Sequence, residues 1–206
     1  MRTRHFGAAA LIAWTMTLLS FSAMASSLRV QVVDQAGAPL VDAVVYVAPT
    51  SGKLPARPPA DGVIDQYHRQ FTPLVTVIQT GGSIRFPNKD DFEHDVYSFS
   101  PAKKFELNLY HGVKAPPVQF DKPGLVVMGC NIHDQMLAYL LVVDTPYFAK
   151  TDASGIATVD GLSSDTYQVT AWHYRLVDDA TRPTQKIAIS GDTSVKFVAN
   201  LKPESP

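Results

Sequence analysis

"MGCNIHDQM", residues 128–136, holds the only cysteine of a 206-residue chain, followed at three-residue steps by a histidine and a methionine. The apolar run "GLVVMGC" leads into Cys130, "NIHDQ" makes a tight loop, and "MLAYLLVV" runs out again from Met136. A turn of this length brings residue i+3 back toward residue i, so Cys130 and His133 can share one ion. Met136 then stands where the returning strand begins. The competing reading is an inert thiol, since free cysteine is among the most buried residue types.

The start of the chain bears on that choice. Arg2 and Arg4 precede an apolar stretch from Gly7 to Leu19, and Ala23-Met24-Ala25 offers a small-x-small cleavage site. This is the layout of a secretory signal peptide cleaved after Ala25, so the mature protein is expected in the periplasm with no membrane span. Loss of the two arginines makes the formal charge more negative than its starting value of −1. The remaining lysines are scattered and form no basic run, which argues against nucleic-acid binding. An exported chain with one cysteine cannot close an intramolecular disulfide, so the thiol needs burial, an intermolecular bridge or a metal.

Beyond the leader, the chain predicts strands throughout. "SLRVQVVD" alternates apolar and polar residues and breaks at "QAGAP"; "VDAVVYVAP" is β-branched; "TSGKLPARPPADG" is a proline- and glycine-rich connector. "PLVTVIQTGGSIRFPN" predicts two short strands around Gly81-Gly82, and "HDVYSFS", "GIATVDGL", "TYQVTAWHY", "QKIAIS" and "SVKFVANL" continue the rhythm. No segment after the leader sustains a 3.6-residue period. An all-β protein of sandwich type follows.

A thiolate, two imidazoles and a weak thioether form the ligand set diagnostic of blue-copper sites, and "MGCNIHDQM" carries three of the four. The remaining histidines of the mature chain are His68, His94, His111 and His173. His94 opens an alternating strand directly after the polar loop "NKDDFE", a strand end suited to meeting another loop. The other three fit a surface or satisfied-core role. Zinc is an alternative occupant of a Cys-His-His set, but the methionine favours a softer, redox-active metal.

Two family resemblances bear on the whole chain. "FTPLVTVIQTGGSIRFPNKDDFEHDVYSFS" followed by "DKPGLVVMGCNIHDQMLAYLLVV" resembles a cupredoxin of the plastocyanin and amicyanin kind, with the short Cys-x-x-His-x-x-Met loop of amicyanin. "VVDQAGAPLVDAVVYV" and "TDASGIATVDGLSSDTYQVTAW" resemble the two halves of a carboxypeptidase regulatory-like, or transthyretin-like, β-sandwich. The arrangement as a whole is similar to exported bacterial proteins labelled methylamine utilisation proteins. It implies a signal peptide at 1–25 and a discontinuous transthyretin-like sandwich at 26–50 and 145–206. A linker at 51–60 then leads to a Greek-key cupredoxin domain inserted at 61–144. A single larger irregular sandwich is the alternative.

By position, the cupredoxin resemblance makes His94, Cys130 and His133 strong ligands of one mononuclear copper ion and Met136 its weak axial ligand. The residue after the first ligand histidine is often asparagine in that family; here it is Asp95, while Asn131 follows the cysteine. An Asp95 carboxylate accepting from Asn131 would keep the link between the two ligand loops with roles exchanged. The acidic cluster Asp90, Asp91, Glu93 and Asp95 reads as a solvated loop, or as a surface steering a basic redox partner. The function implied is a one-electron carrier, not an enzyme, working with a redox partner such as a cytochrome or a dehydrogenase. Copper storage or delivery, with the outer sandwich as docking or ligand-binding module, is the alternative.

Overall fold

Alternating β-branched, aromatic and polar residues, punctuated by glycine and proline, form strands almost everywhere in the computed structural model, which describes residues 26–112 and 115–203. The expected leader at 1–25 lies outside the described residues. In chain order the strands are β1 (Ser26–Val33), β2 (Val44–Pro49), β3 (Gly62–Val63), β4 (Asp65–Tyr67), β5 (Gln70–Thr72), β6 (Val75–Gln79) and β7 (Ser83–Arg85). They continue as β8 (His94–Ser100), β9 (Lys103–Tyr110), β10 (Val118–Gln119), β11 (Gly124–Gly129) and β12 (Leu137–Val143). The last five are β13 (Phe148–Lys150), β14 (Ile156–Leu162), β15 (Asp165–Trp172), β16 (Thr184–Ile189) and β17 (Thr193–Val198). Among the described residues the one helical element is a short 3-10 turn at Asp179–Thr181, and no helix is long and apolar enough to cross a membrane. The fold is all-β.

The strands at the two ends of the chain interleave. One sheet has the order β14-β1-β17 and a second the order β13-β2-β15-β16. Leu28, Val30 and Val32 of β1 face Val45 and Val47 of β2 and Val169 and Ala171 of β15 in one buried core. Two turns of matching chemistry serve these sheets. The Asp34 carboxylate accepts the N–H of Ala36 and Ala38, and that of Asp152 accepts the N–H of Ser154 and Ile156. Gly155 is required in the second: its φ is +71°, and a Cβ there would lie 2.6 Å from the Val32 carbonyl oxygen.

Between them in sequence runs a five-stranded sheet, β6-β12-β11-β8-β9, covered on one face by the small sheet β10-β7-β3. Ile78, Ile84, Phe86, Phe120, Val126, Met128, Ala138 and Leu140 fill the second core. Strand β12 serves both cores. Ala138, Leu140 and Val142 point into the second, while Leu141 and Val143 are buried in the first, which explains the uninterrupted apolar run "LAYLLVV". The strands expected around Gly81-Gly82 form as β6 and β7, but in different sheets. Strand β9 was not legible in "KKFELNLY", because this edge strand leaves Lys104, Glu106, Asn108 and Leu109 exposed and buries little.

Candidate metal centre

Three features of the second core bring the candidate ligands together. The Asn88 side chain donates to the carbonyls of Phe92 (2.8 Å) and Tyr110 (2.9 Å), folding the polar loop so that His94 opens β8 inside the protein. Strands β8 and β11 meet at the pair Tyr97–Gly129. A Cβ on Gly129 would come within 2.9 Å of the Tyr97 ring, so glycine allows the close approach that sets Cys130 beside β8. Finally, the N–H of Met136 donates to the His133 carbonyl at 2.9 Å and closes the loop.

One ligand-type atom from each of His94, Cys130 and His133 lies within 4.8 Å of the other two. Cys130 Sγ faces His94 Nδ1 at 3.9 Å, and the two imidazole rings sit 5.0 Å apart at 67°. A separation of 3.9 Å suits two atoms bound to one ion at roughly 2.0–2.3 Å each. His94 is fully buried and Cys130 nearly so, whereas the His133 ring reaches partly to solvent. His133 Nδ1 is buried without a hydrogen-bond partner among the described residues. An orphaned imidazole nitrogen beside a thiol and a second imidazole is what a soft metal ion would satisfy. Burial pushes the Cys130 thiol up, and the Asp95 carboxylate adds to this. The N–H groups of Ile132, Asp95 and His133 work the other way. Metal uptake must therefore displace a proton from sulfur.

Met136, 1% exposed, lies in the same core as Cys130 at the foot of β12. Asp95 is buried, and its carboxylate accepts the Asn131 N–H at 2.7 Å and the Asn131 side-chain amide. Phe92 stands against both imidazoles, its ring 5.0 Å from His94 and 5.6 Å from His133, with the Arg69 guanidinium over it at 5.2 Å. His68 and His111 are exposed and outside the cluster, and His173 is buried in the first core's neighbourhood.

The acidic loop differs from its reading as a solvated or steering surface. Asp91 and Glu93 are exposed, but Asp90 and Asp95 are buried and hydrogen-bonded inward. Asp90 Oδ2 stands 2.8 Å from His94 Nε2, and the carboxylate also accepts the N–H of His68 (2.7 Å) and Arg69 (3.0 Å). Burial alone would raise the Asp90 carboxyl. The Arg69 N–H, the His94 ring and the His68 N–H outweigh it and hold the group at about 2. Nothing in the run "NKDDFEH" separates this inward aspartate from its exposed neighbours except its place four residues before His94.

No protein-family model matches the chain, and no curated protein matches it. Solved structures do. A Cu-containing nitrite reductase (NirK) from Thermus scotoductus is 23% identical at TM-score 0.39, over 47% of this chain and 25% of that one. A Cu(I) amicyanin variant is 15% identical at TM-score 0.36, covering 39% and 80%. A purple cupredoxin from Nitrosopumilus maritimus is 19% identical at TM-score 0.33, covering 37% and 84%. This chain thus spans a quarter of the reductase's length, and each likeness reaches less than half of this chain.

Proposed function

We propose that the chain is a periplasmic mononuclear type 1 copper protein that carries single electrons. His94, Cys130 and His133 are the strong ligands and Met136 the weak axial one. The observation that carries the reading is the buried thiol with one nitrogen of each imidazole gathered within 4.8 Å, together with a buried His133 Nδ1 that has no hydrogen-bond partner among the described residues. Bound copper would supply a one-electron couple. The protein's part is to hold the ligands at one spacing in both oxidation states, so that little rearrangement accompanies transfer. The bonds from Asn131 to Asp95 and from Asn88 across the polar loop suit that task. The partly exposed His133 ring is the port for electrons passing to a redox partner protein.

In the same reading, residues 61–144 are a cupredoxin domain inserted between the halves 26–50 and 145–206 of a transthyretin-like sandwich, joined through the linker 51–60. The protein is exported by the leader at 1–25 and acts as a carrier, not as an enzyme. Titration of the metal-free protein with Cu(II) tests this. An intense visible thiolate-to-copper charge-transfer band should saturate at one equivalent and be absent from Cys130→Ser. A protein that stays colourless and retains no copper overturns the reading.

A further inference from the structure

The hairpin joining β4 to β5 has no obvious link to the metal centre, being more than twenty residues upstream of His94, yet it is built around a residue that touches that histidine. Tyr67 pairs with Gln70, so His68 and Arg69 are the two central residues of a two-residue hairpin turn. Both adopt positive φ, 54° and 56°. Turns of this kind favour Asn-Gly, because residues with a Cβ seldom enter the left-handed region. Histidine and arginine therefore hold a backbone shape their side chains disfavour. In that shape both N–H groups converge on Asp90, one on each carboxylate oxygen. The Asp90 N–H in turn donates to Asn88 Oδ1 at 3.0 Å, so the aspartate is fixed at its backbone as well.

A carboxylate held this way can only accept hydrogen bonds. The imidazole nitrogen 2.8 Å from its Oδ2 must therefore donate, so in the neutral ring His94 is the Nε2–H form. Its Nδ1 then has a free lone pair, and Nδ1 is the atom that faces Cys130 Sγ. A full negative charge on the far side of the ring also raises the basicity of Nδ1 and favours the more highly charged state of whatever metal it binds.

We infer that Asp90, clamped by the strained His68–Arg69 turn, is the positioning residue that fixes the His94 tautomer and lowers the reduction potential of the centre. The inference deepens the copper reading above and rests on it for the potential, but not for the tautomer. Asp90 is buried and does not reach Cys130 Sγ, so it acts only through His94. The β4–β5 hairpin thereby becomes part of the site.

Long-range nitrogen–proton NMR on the metal-free protein, at mildly alkaline pH, reads the tautomer directly. His94 is expected as Nε2–H in the wild type and as a mixture in Asp90→Ala. Detection of the Nδ1–H form in the wild type overturns the proposal, whether or not the protein takes up copper. On the copper-loaded protein, Asp90→Asn keeps the side chain's shape and removes its charge. Cu(II) affinity should fall about 10- to 100-fold with a smaller loss for Cu(I). Each tenfold difference between the two states raises the potential by about 59 mV. A copper-loaded Asp90→Asn protein with unchanged potential overturns the proposal. A wild type that binds no copper sinks the copper reading instead and leaves the tautomer measurement to decide the role of Asp90.

Discussion

Asp95 and Asn131 are joined by two hydrogen bonds: the aspartate carboxylate accepts the backbone N–H of Asn131 at 2.7 Å and also its side-chain amide. Each residue directly follows a candidate ligand, Asp95 after His94 and Asn131 after Cys130. The pair therefore ties the two segments that carry the metal-binding atoms, and it does so with a buried acceptor charge. Burial holds the free thiol of Cys130 up, and a hydrogen bond to the Asp95 carboxylate adds to this.

Asp95→Ala cuts both bonds and frees the start of the Cys130–Met136 loop. Copper affinity, measured by competition against a chelator of known strength, should fall about 10- to 100-fold. The metal-free protein should lose about 2 kcal/mol of stability, since hydrogen bonds to a charged acceptor exceed the neutral average. An affinity equal to that of the wild type would show that the tie is dispensable for metal binding.

Met136 distinguishes packing from ligation. Leucine nearly conserves its volume, so Met136→Leu should cost under about 1.5 kcal/mol in this buried core. If the thioether is the weak axial ligand, three strong ligands still hold copper, and the potential rises by at least about 59 mV, a tenfold change in the redox equilibrium. An unchanged potential and visible spectrum would assign Met136 to the core alone.

What could be read in the sequence follows from how locally each feature is encoded. Cys130 and His133 are three residues apart in one loop, and His94 begins a cleanly alternating strand, so pattern alone singled them out. The Asp95–Asn131 bond was expected only through the cupredoxin resemblance, in which the residue after the first histidine ties the two loops. Asp90 was not legible: its partners at His68 and Arg69 are donated by backbone N–H groups, which leave no mark on side-chain identity, from a turn whose residues are atypical of it. Likewise "LAYLLVV" reads as a buried strand, but not as one shared between two cores. That depends on which sheets stack on its two faces.

His173 sets a pH dependence separate from the metal centre. It is 4% exposed, its Nδ1 accepts the Arg175 N–H at 3.2 Å, and its ring packs on Tyr174 at 4.4 Å. Burial pushes its pKa down to about 4, with the Arg175 charge adding to the effect. The native state thus keeps His173 neutral where the unfolded chain, at about 6.5, takes up a proton. Stability contributed by this group is whole above about 6.5, declines as pH falls, and levels off below about 4. Denaturant midpoints of the metal-free protein across that window should show the decline, and His173→Phe should flatten it. An equal slope in the variant would place its origin in other groups.

The two-faced strand β12 determines how the molecule comes apart. Leu141 and Val143, with Val75 of β6, are buried against the core that β1, β2 and β15 build, while Leu140 and Val142 anchor the other core. Lys150 adds a polar stitch, donating to Asp42 at 2.6 Å and to the Val75 carbonyl at 2.8 Å. Losing either core strips one face of the same strand, exposing side chains whose burial stabilises by roughly 1.5–3 kcal/mol each. Neither core can come apart and leave the other as it was. We therefore expect one transition in urea, with coincident midpoints from Trp172 fluorescence in the first core and from a signal of the metal centre in the second. Leu141→Ala should move both midpoints together, by an amount corresponding to about 2–5 kcal/mol. Two separated transitions, or a substitution that shifts only the Trp172 signal, would mean that the shared strand does not couple the two cores.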